Sequence, residues 1–112
     1  MTTELLSAAR FQEELRGVPR YRSCIPVGDP LQVAVKKIAD NPAFTQSRLL
    51  ARILVALTYQ EGEFRRAELA TFDSDTHAMV ITLMDLHAAG TSSREEWIAA
   101  TDAAREALLG VQ

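Results

Sequence analysis

Leu49-Leu50-Ala51-Arg52-Ile53-Leu54-Val55-Ala56-Leu57 is the stretch on which the fold turns. Leu50, Ile53, Leu54 and Leu57 recur every three or four positions, the spacing that stacks side chains on one face of an α-helix. Leu49, Val55 and Ala56 widen that face past half the circumference, which places the helix inside the domain. Arg52 interrupts the run, and it falls far short of the roughly 20 apolar residues that span a bilayer. Asn41-Pro42 reads as a cap followed by proline, so the helix is expected to run from there to about Tyr59, with Phe44 on its core face.

Working toward the C-terminus, Gln60 to Glu63, including Gly62, close this helix. Phe64, Ala67, Leu69 and Phe72 fit one or two turns of a short linking helix. Asp73 or Ser74 then caps a second central helix that ends near Ala89, with Met79, Val80, Leu83, Met84 and Leu86 buried and Gly90 as its stop. Ser92 with Glu95 and Ser93 with Glu96 form two overlapping capping boxes, which start a final helix running to about Leu109. Its inward stripe is Trp97, Ala100, Thr101, Ala104 and Leu108, where small alanines allow a close helix approach.

Working toward the N-terminus, Asp29-Pro30 is an N-cap with proline at the first helical position, and Leu31, Ala34, Val35 and Ile38 trace one face after it. The alternation of Leu31, Val33 and Val35 also fits a strand; Lys36-Lys37 and the lack of a partner strand favour helix. Thr3 to Arg16 carries Leu5, Ala8, Phe11 and Leu15 at helical spacing, and Gly17 follows as a stop. Val18 to Asp29, with Pro19, Pro26 and Gly28, reads as an extended connector. The expected fold is therefore all-α: a compact single domain over residues 1–112, a bundle of about five helices plus a short connecting helix, with an Arg-rich loop after the first helix.

Composition agrees with one ordinary globular core, since 47% of the 112 residues are hydrophobic and 24% charged. The formal net charge of −3 makes the whole molecule repel a nucleic-acid backbone or an anionic membrane, so such binding would need a local basic patch. Cys24 is the only cysteine, which excludes an intramolecular disulfide. Met1-Thr2-Thr3-Glu4-Leu5-Leu6 has no basic segment leading into an apolar run, so no secretory leader is expected, and a reducing cytoplasm is the expected setting.

No reactive set assembles from these residues. Asp73, Asp75, His77, Asp85 and His87 are dense in metal-ligand types, but His87 has no partner one turn away, and Asp73 and Asp75 suit a helix N-terminus. Cys24 lies near Arg22 without a histidine beside it, Glu61 and Glu63 flank Gly62 as solubilising loop carboxylates, and no window has phosphate-loop glycine spacing. The expectation is no catalysis, no cofactor and no metal. Residues 47–90 have the outline of a helix-turn-helix unit, yet the would-be reading helix opens Ser74-Asp75-Thr76-His77 and continues Met79-Val80-Ile81, which is wrong for phosphate and for base edges. The candidate interaction residues are Arg16, Arg20, Tyr21 and Arg22 in the basic loop, with Arg65 and Arg66.

The apolar helix Leu49-Leu50-Ala51-Arg52-Ile53-Leu54, a short turn, and then Phe64, Leu69 and Asp73 leading into another apolar helix resemble short uncharacterised bacterial proteins carried on integrative and other mobile elements. The resemblance spans Ser47 to Leu86 and leaves out the N-terminal helix and the Arg-rich loop. It implies a bacterial or phage source and lends no catalytic residue. The function expected from all of this is a non-catalytic module that binds another protein, self-association included, because two broadly apolar helices in so short a chain leave surface to cover. The alternative is a small helix-turn-helix-like nucleic-acid binder using Arg20, Arg22, Arg65 and Arg66.

Overall fold

Helix-capping chemistry sets most of the architecture. The computed structural model describes residues 5–16 and 28–109. Asp29 accepts a hydrogen bond from the Leu31 N–H at 3.1 Å, and with Pro30 in the first turn this starts α2, Pro30–Asp40. Asp73 accepts from the Thr76 N–H at 2.7 Å and starts α4, Ser74–Ala89, which Gly90 ends in the left-handed conformation. Ser93 and Glu96 exchange bonds, Glu96 N–H to Ser93 Oγ and Ser93 N–H to Glu96 Oε1, and so open α5, Arg94–Leu109. Residues 31–39 are thus helical.

The remaining elements are β1, Leu5–Ser7; α1, Ala8–Arg16; α3, Thr45–Tyr59; β2, Glu63–Arg65; and a 3₁₀ helix, Arg66–Thr71. The chain is mainly helical, five α-helices around one core, as its periodicity predicts. The radius of gyration of 13.3 Å is close to the ~13 Å of compact chains of about 100 residues. Among the described residues, no helix is long and apolar enough to cross a membrane.

The core is built on α3 and α4. Leu50, Ile53, Leu54 and Leu57 of α3 are buried, and α4 is buried without a break from Thr76 to Ile81. α5 covers α2 and α3, and at its contact with α3 the hydroxyls of Thr58 and Thr101 meet at 2.9 Å. Thr101 Oγ1 also bonds the Trp97 carbonyl. Phe11 of α1 is fully buried, stacked on Phe64 at 4.2 Å with 12° between the rings and tilted against Phe72 at 6.0 Å. His77 Nε2 donates to the Leu15 carbonyl at 3.1 Å, which ties α4 to the end of α1.

Four local expectations are corrected. Residues 5–7 are not the first turn of a helix: β1 pairs antiparallel with β2, with Leu5 opposite Arg65, Leu6 opposite Phe64 and Ser7 opposite Glu63. Leu6 and Phe64 point inward together, and Ser7 Oγ accepts from the Arg10 N–H at 3.2 Å, so α1 begins at Ala8. The linking segment carries the expected short helix, of 3₁₀ type over 66–71, but its start, residues 63–65, is strand. Asn41 serves the end of α2, its backbone N–H bonding the Ile38 carbonyl and its side chain the Lys37 carbonyl, so Pro42 lies in a turn and α3 starts only at Thr45. The fourth correction is Phe44, which is 62% exposed rather than in the core.

The expected apolar surplus is also largely covered. Among the described residues only Leu5, Phe44 and Leu109 are large hydrophobic side chains left exposed.

Candidate interaction site

The first turns of α3 place Thr45, Arg48, Leu49 and Arg52 on one face, because these positions are separated by three, four and seven residues. Opposite them, β2 and the 3₁₀ helix supply Arg65, Glu68 and Thr71, and the two walls enclose a cleft of about 290 Å³. Gln46 clamps the two walls together. Its Nε2 donates to the Thr71 carbonyl at 2.5 Å and its Oε1 accepts the Asp73 N–H at 3.0 Å, so α3 is tied to the approach to α4.

Glu68 is the centre of the cleft's electrostatics. It is buried, and its carboxylate accepts from Arg52 Nη1 at 2.5 Å and Nη2 at 3.5 Å, from the Arg65 backbone N–H at 3.0 Å and from Arg65 Nε at 3.5 Å. Burial by itself would raise its pKa. The Arg65 N–H, the Arg52 hydrogen bond and charge, and the Arg65 side chain together outweigh that effect and hold the carboxyl below the ordinary glutamate value. Arg52 is further fixed by a 2.8 Å bond from Nη2 to the Glu63 carbonyl and by the Phe64 ring, whose centroid lies 4.7 Å from its guanidinium carbon.

Charge on the cleft wall is not balanced. Three guanidiniums and one carboxylate line it, and the carboxylate pairs closely with Arg52 and at longer range with Arg65. Arg65 is 64% exposed and only grazes Glu68. Arg48 is exposed and has no ion-pair partner among the described residues. Phe44 precedes Arg48 by one helical turn, at the N-cap of α3, and no side chain caps that helix end. An aromatic ring, the guanidinium of Arg48 and a helix terminus without a side-chain cap thus share the start of α3, with Arg65 on the opposite wall of the cleft.

A second cleft of about 210 Å³ is lined by Thr58, His87, Gly90, Ser92, Arg94 and Trp97. Its polar groups have internal work: Arg94 Nη1 donates to the Thr58 carbonyl at 3.1 Å, and His87 meets Trp97 edge-on at 5.2 Å.

Of the residues singled out from sequence, Arg65 lies in the first cleft. Arg20, Tyr21, Arg22 and Cys24 lie outside the described residues, as do the side chains of Arg16 and Arg66. Periodicity missed Phe44, Arg48, Arg52 and Glu68. The available signal was the row Phe44, Arg48, Arg52 at four-residue spacing, an aromatic and two cations on one edge of an otherwise apolar helix. Asp73 is a helix cap and His77 an interior bond to α1; among the described residues no three potential metal ligands gather. The face of α4 that a helix-turn-helix unit would lay in a groove, Met79, Val80 and Ile81, is interior.

Comparison of this chain with protein-family models, with curated proteins and with solved structures gives no match.

Proposed function

We propose that this chain is a non-catalytic protein-interaction module and that its partner seats on the α3 cleft beside Phe44. One observation carries the reading: an exposed aromatic ring and the exposed guanidinium of Arg48 share the start of a helix whose other faces are in the core, beside a cleft whose opposite wall carries Arg65. Aromatic and arginine side chains are the usual anchors of protein interfaces. The network of Arg52, Glu68 and Phe64, with the Gln46 clamp, sets the cleft walls before any partner arrives, which lowers the ordering cost of binding.

Self-association falls within this reading, because a second copy of an acidic chain carries carboxylates that complement the cleft. A modulator of a host complex borne on a mobile element, and acting in the cytoplasm, is a special case that the sequence resemblance suggests.

The test is affinity purification from cells of the native source with the wild-type chain and with Phe44→Ser/Arg48→Glu, alongside light scattering over a range of concentrations. The expected result is a protein, or a second copy, held by the wild type and lost from a folded variant. A wild type that stays monomeric and holds no protein refutes the reading. Steeply salt-dependent retention of nucleic acid instead would favour phosphate contacts by Arg20, Arg22, Arg65 and Arg66.

A further inference from the structure

We infer that the α3 cleft recognises a short acidic segment of a partner protein, one that sets one or two carboxylates against Arg48 and Arg65 and a bulky apolar residue against Phe44. This inference rests on the interaction reading above and deepens it by naming the partner's chemistry.

Charge is the first argument. Arg52 already neutralises Glu68, so an added carboxylate meets Arg48 and Arg65 with little opposing charge in the cleft. Their planar guanidiniums suit paired hydrogen bonds to a carboxylate. The first turn of α3 contains no acidic residue and no side chain caps it, so its N–H groups and dipole also favour negative charge there.

Shape is the second argument. The cleft has room for a few side chains rather than a folded surface. Phe44, the neighbour in sequence of the cleft-lining Thr45, is 62% exposed, and burying that ring under an apolar side chain would release ordered water from both.

The surroundings decide between a peptide and a longer polyanion. Glu61 and Glu63 precede the wall segment, and Asp73 and Asp75 follow it, all four of them exposed. A nucleic-acid strand running through the cleft would carry phosphates past these carboxylates at both ends, on a chain of net charge −3. A peptide that concentrates its acid groups at one or two positions avoids that repulsion.

Selection of random peptides of about a dozen residues against the immobilised chain tests the inference. The wild type is expected to enrich peptides in which Asp or Glu adjoins Leu, Ile, Phe or Trp. Arg48→Glu and Phe44→Ser, both surface changes, are expected to weaken an enriched peptide at least tenfold with an unchanged circular dichroism spectrum, while Lys36→Glu on α2 leaves it unaltered. Enrichment without acidic residues, or acidic peptides indifferent to Arg48→Glu, overturns the inference and leaves the interaction reading standing. No enrichment at all overturns the inference, and the affinity purification and light scattering above then decide the interaction reading by themselves. Competition with inorganic phosphate and with a short DNA duplex completes the design: displacement of the peptide by duplex at lower concentration than by an unlabelled acidic peptide assigns the cleft to nucleic acid and sinks the inference.

Discussion

Replacing Glu68 with Gln removes one negative charge from the cleft and almost no volume, so it isolates the electrostatic term. In the wild type that carboxylate accepts two bonds from Arg52 and one from the Arg65 N–H, and its side chain is 9% exposed. Hydrogen bonds to a charged group contribute about 1.5–3 kcal/mol. Arg52 is 43% exposed and rehydrates when released, which puts the expected loss at the lower end, about 1.5–2 kcal/mol. For a chain of this size that corresponds to a fall in Tm of roughly 6–8 °C. The pH dependence has a definite sign. Glu68 titrates below its ordinary value of about 4.5 in the folded chain, so its contribution is complete above that value and is lost as pH falls through the lower folded pKa. Urea unfolding followed by far-UV circular dichroism should therefore show a constant wild-type advantage from neutral pH down to about 4.5, shrinking below it until the two proteins unfold alike. A neutral-pH difference under about 0.5 kcal/mol, or one that persists unchanged in acid, would refute the account of the cleft as held by an ionised Glu68.

Three further substitutions probe the frame around the site. Phe11→Ala removes the ring packed between Phe64 and Phe72 and should cost about 3–5 kcal/mol in denaturant unfolding; a loss of less than about half that would mean the α1 contact is not part of the core. Thr101→Val should cost about 1 kcal/mol more than Thr58→Val, because the Thr101 hydroxyl proton goes to the Trp97 carbonyl and Thr58 must donate to Thr101; equal or reversed denaturant midpoints would contradict that direction. Gln60 ends α3 at φ 58°, ψ 36°, a left-handed geometry that glycine adopts without penalty, so Gln60→Gly should raise stability by about 0.5–1 kcal/mol even after losing the Gln60 bond to the Leu57 carbonyl. An unchanged or lower Tm would show that the side-chain bond outweighs the backbone strain.

Helices α2, α4 and α5 were legible from sequence because a cap is local chemistry: Asp29, Asp73 and the pair Ser93 and Glu96 act within three residues of themselves. Asn41-Pro42 misleads for the same reason, since an asparagine that satisfies the end of one helix looks like one that begins the next. Leu5-Leu6-Ser7 has no local marker of a strand; its conformation comes from a partner far along the chain, and short-range periodicity carries no information about such pairing. The cleft divides the same way. Arg65 stood out as part of a basic dipeptide, whereas Arg52 acquires its role from Glu68, sixteen positions on and across a turn. Phe44 was placed in the core by period alone, and its exposure follows from α3 starting three residues later than the proline suggests.

The antiparallel ladder has a consequence for how the molecule is made. Leu5 pairs with Arg65, about 60 residues further on, so during synthesis β1 leaves the ribosome several seconds before its complement exists, at elongation rates of about 5–20 residues per second. Until then Leu6 and Phe11 have no Phe64 to bury them, and α1 has no strand to brace its start. α3 and α4 pair across a shorter span, whereas α2 waits in the same way for α5, which follows β2 in the chain. The amino-terminal segment is thus braced only from one edge and late, while α3 and α4 lie inside the core: hydrogen exchange should find the amides of α1 opening at lower free energy than those of α3 and α4.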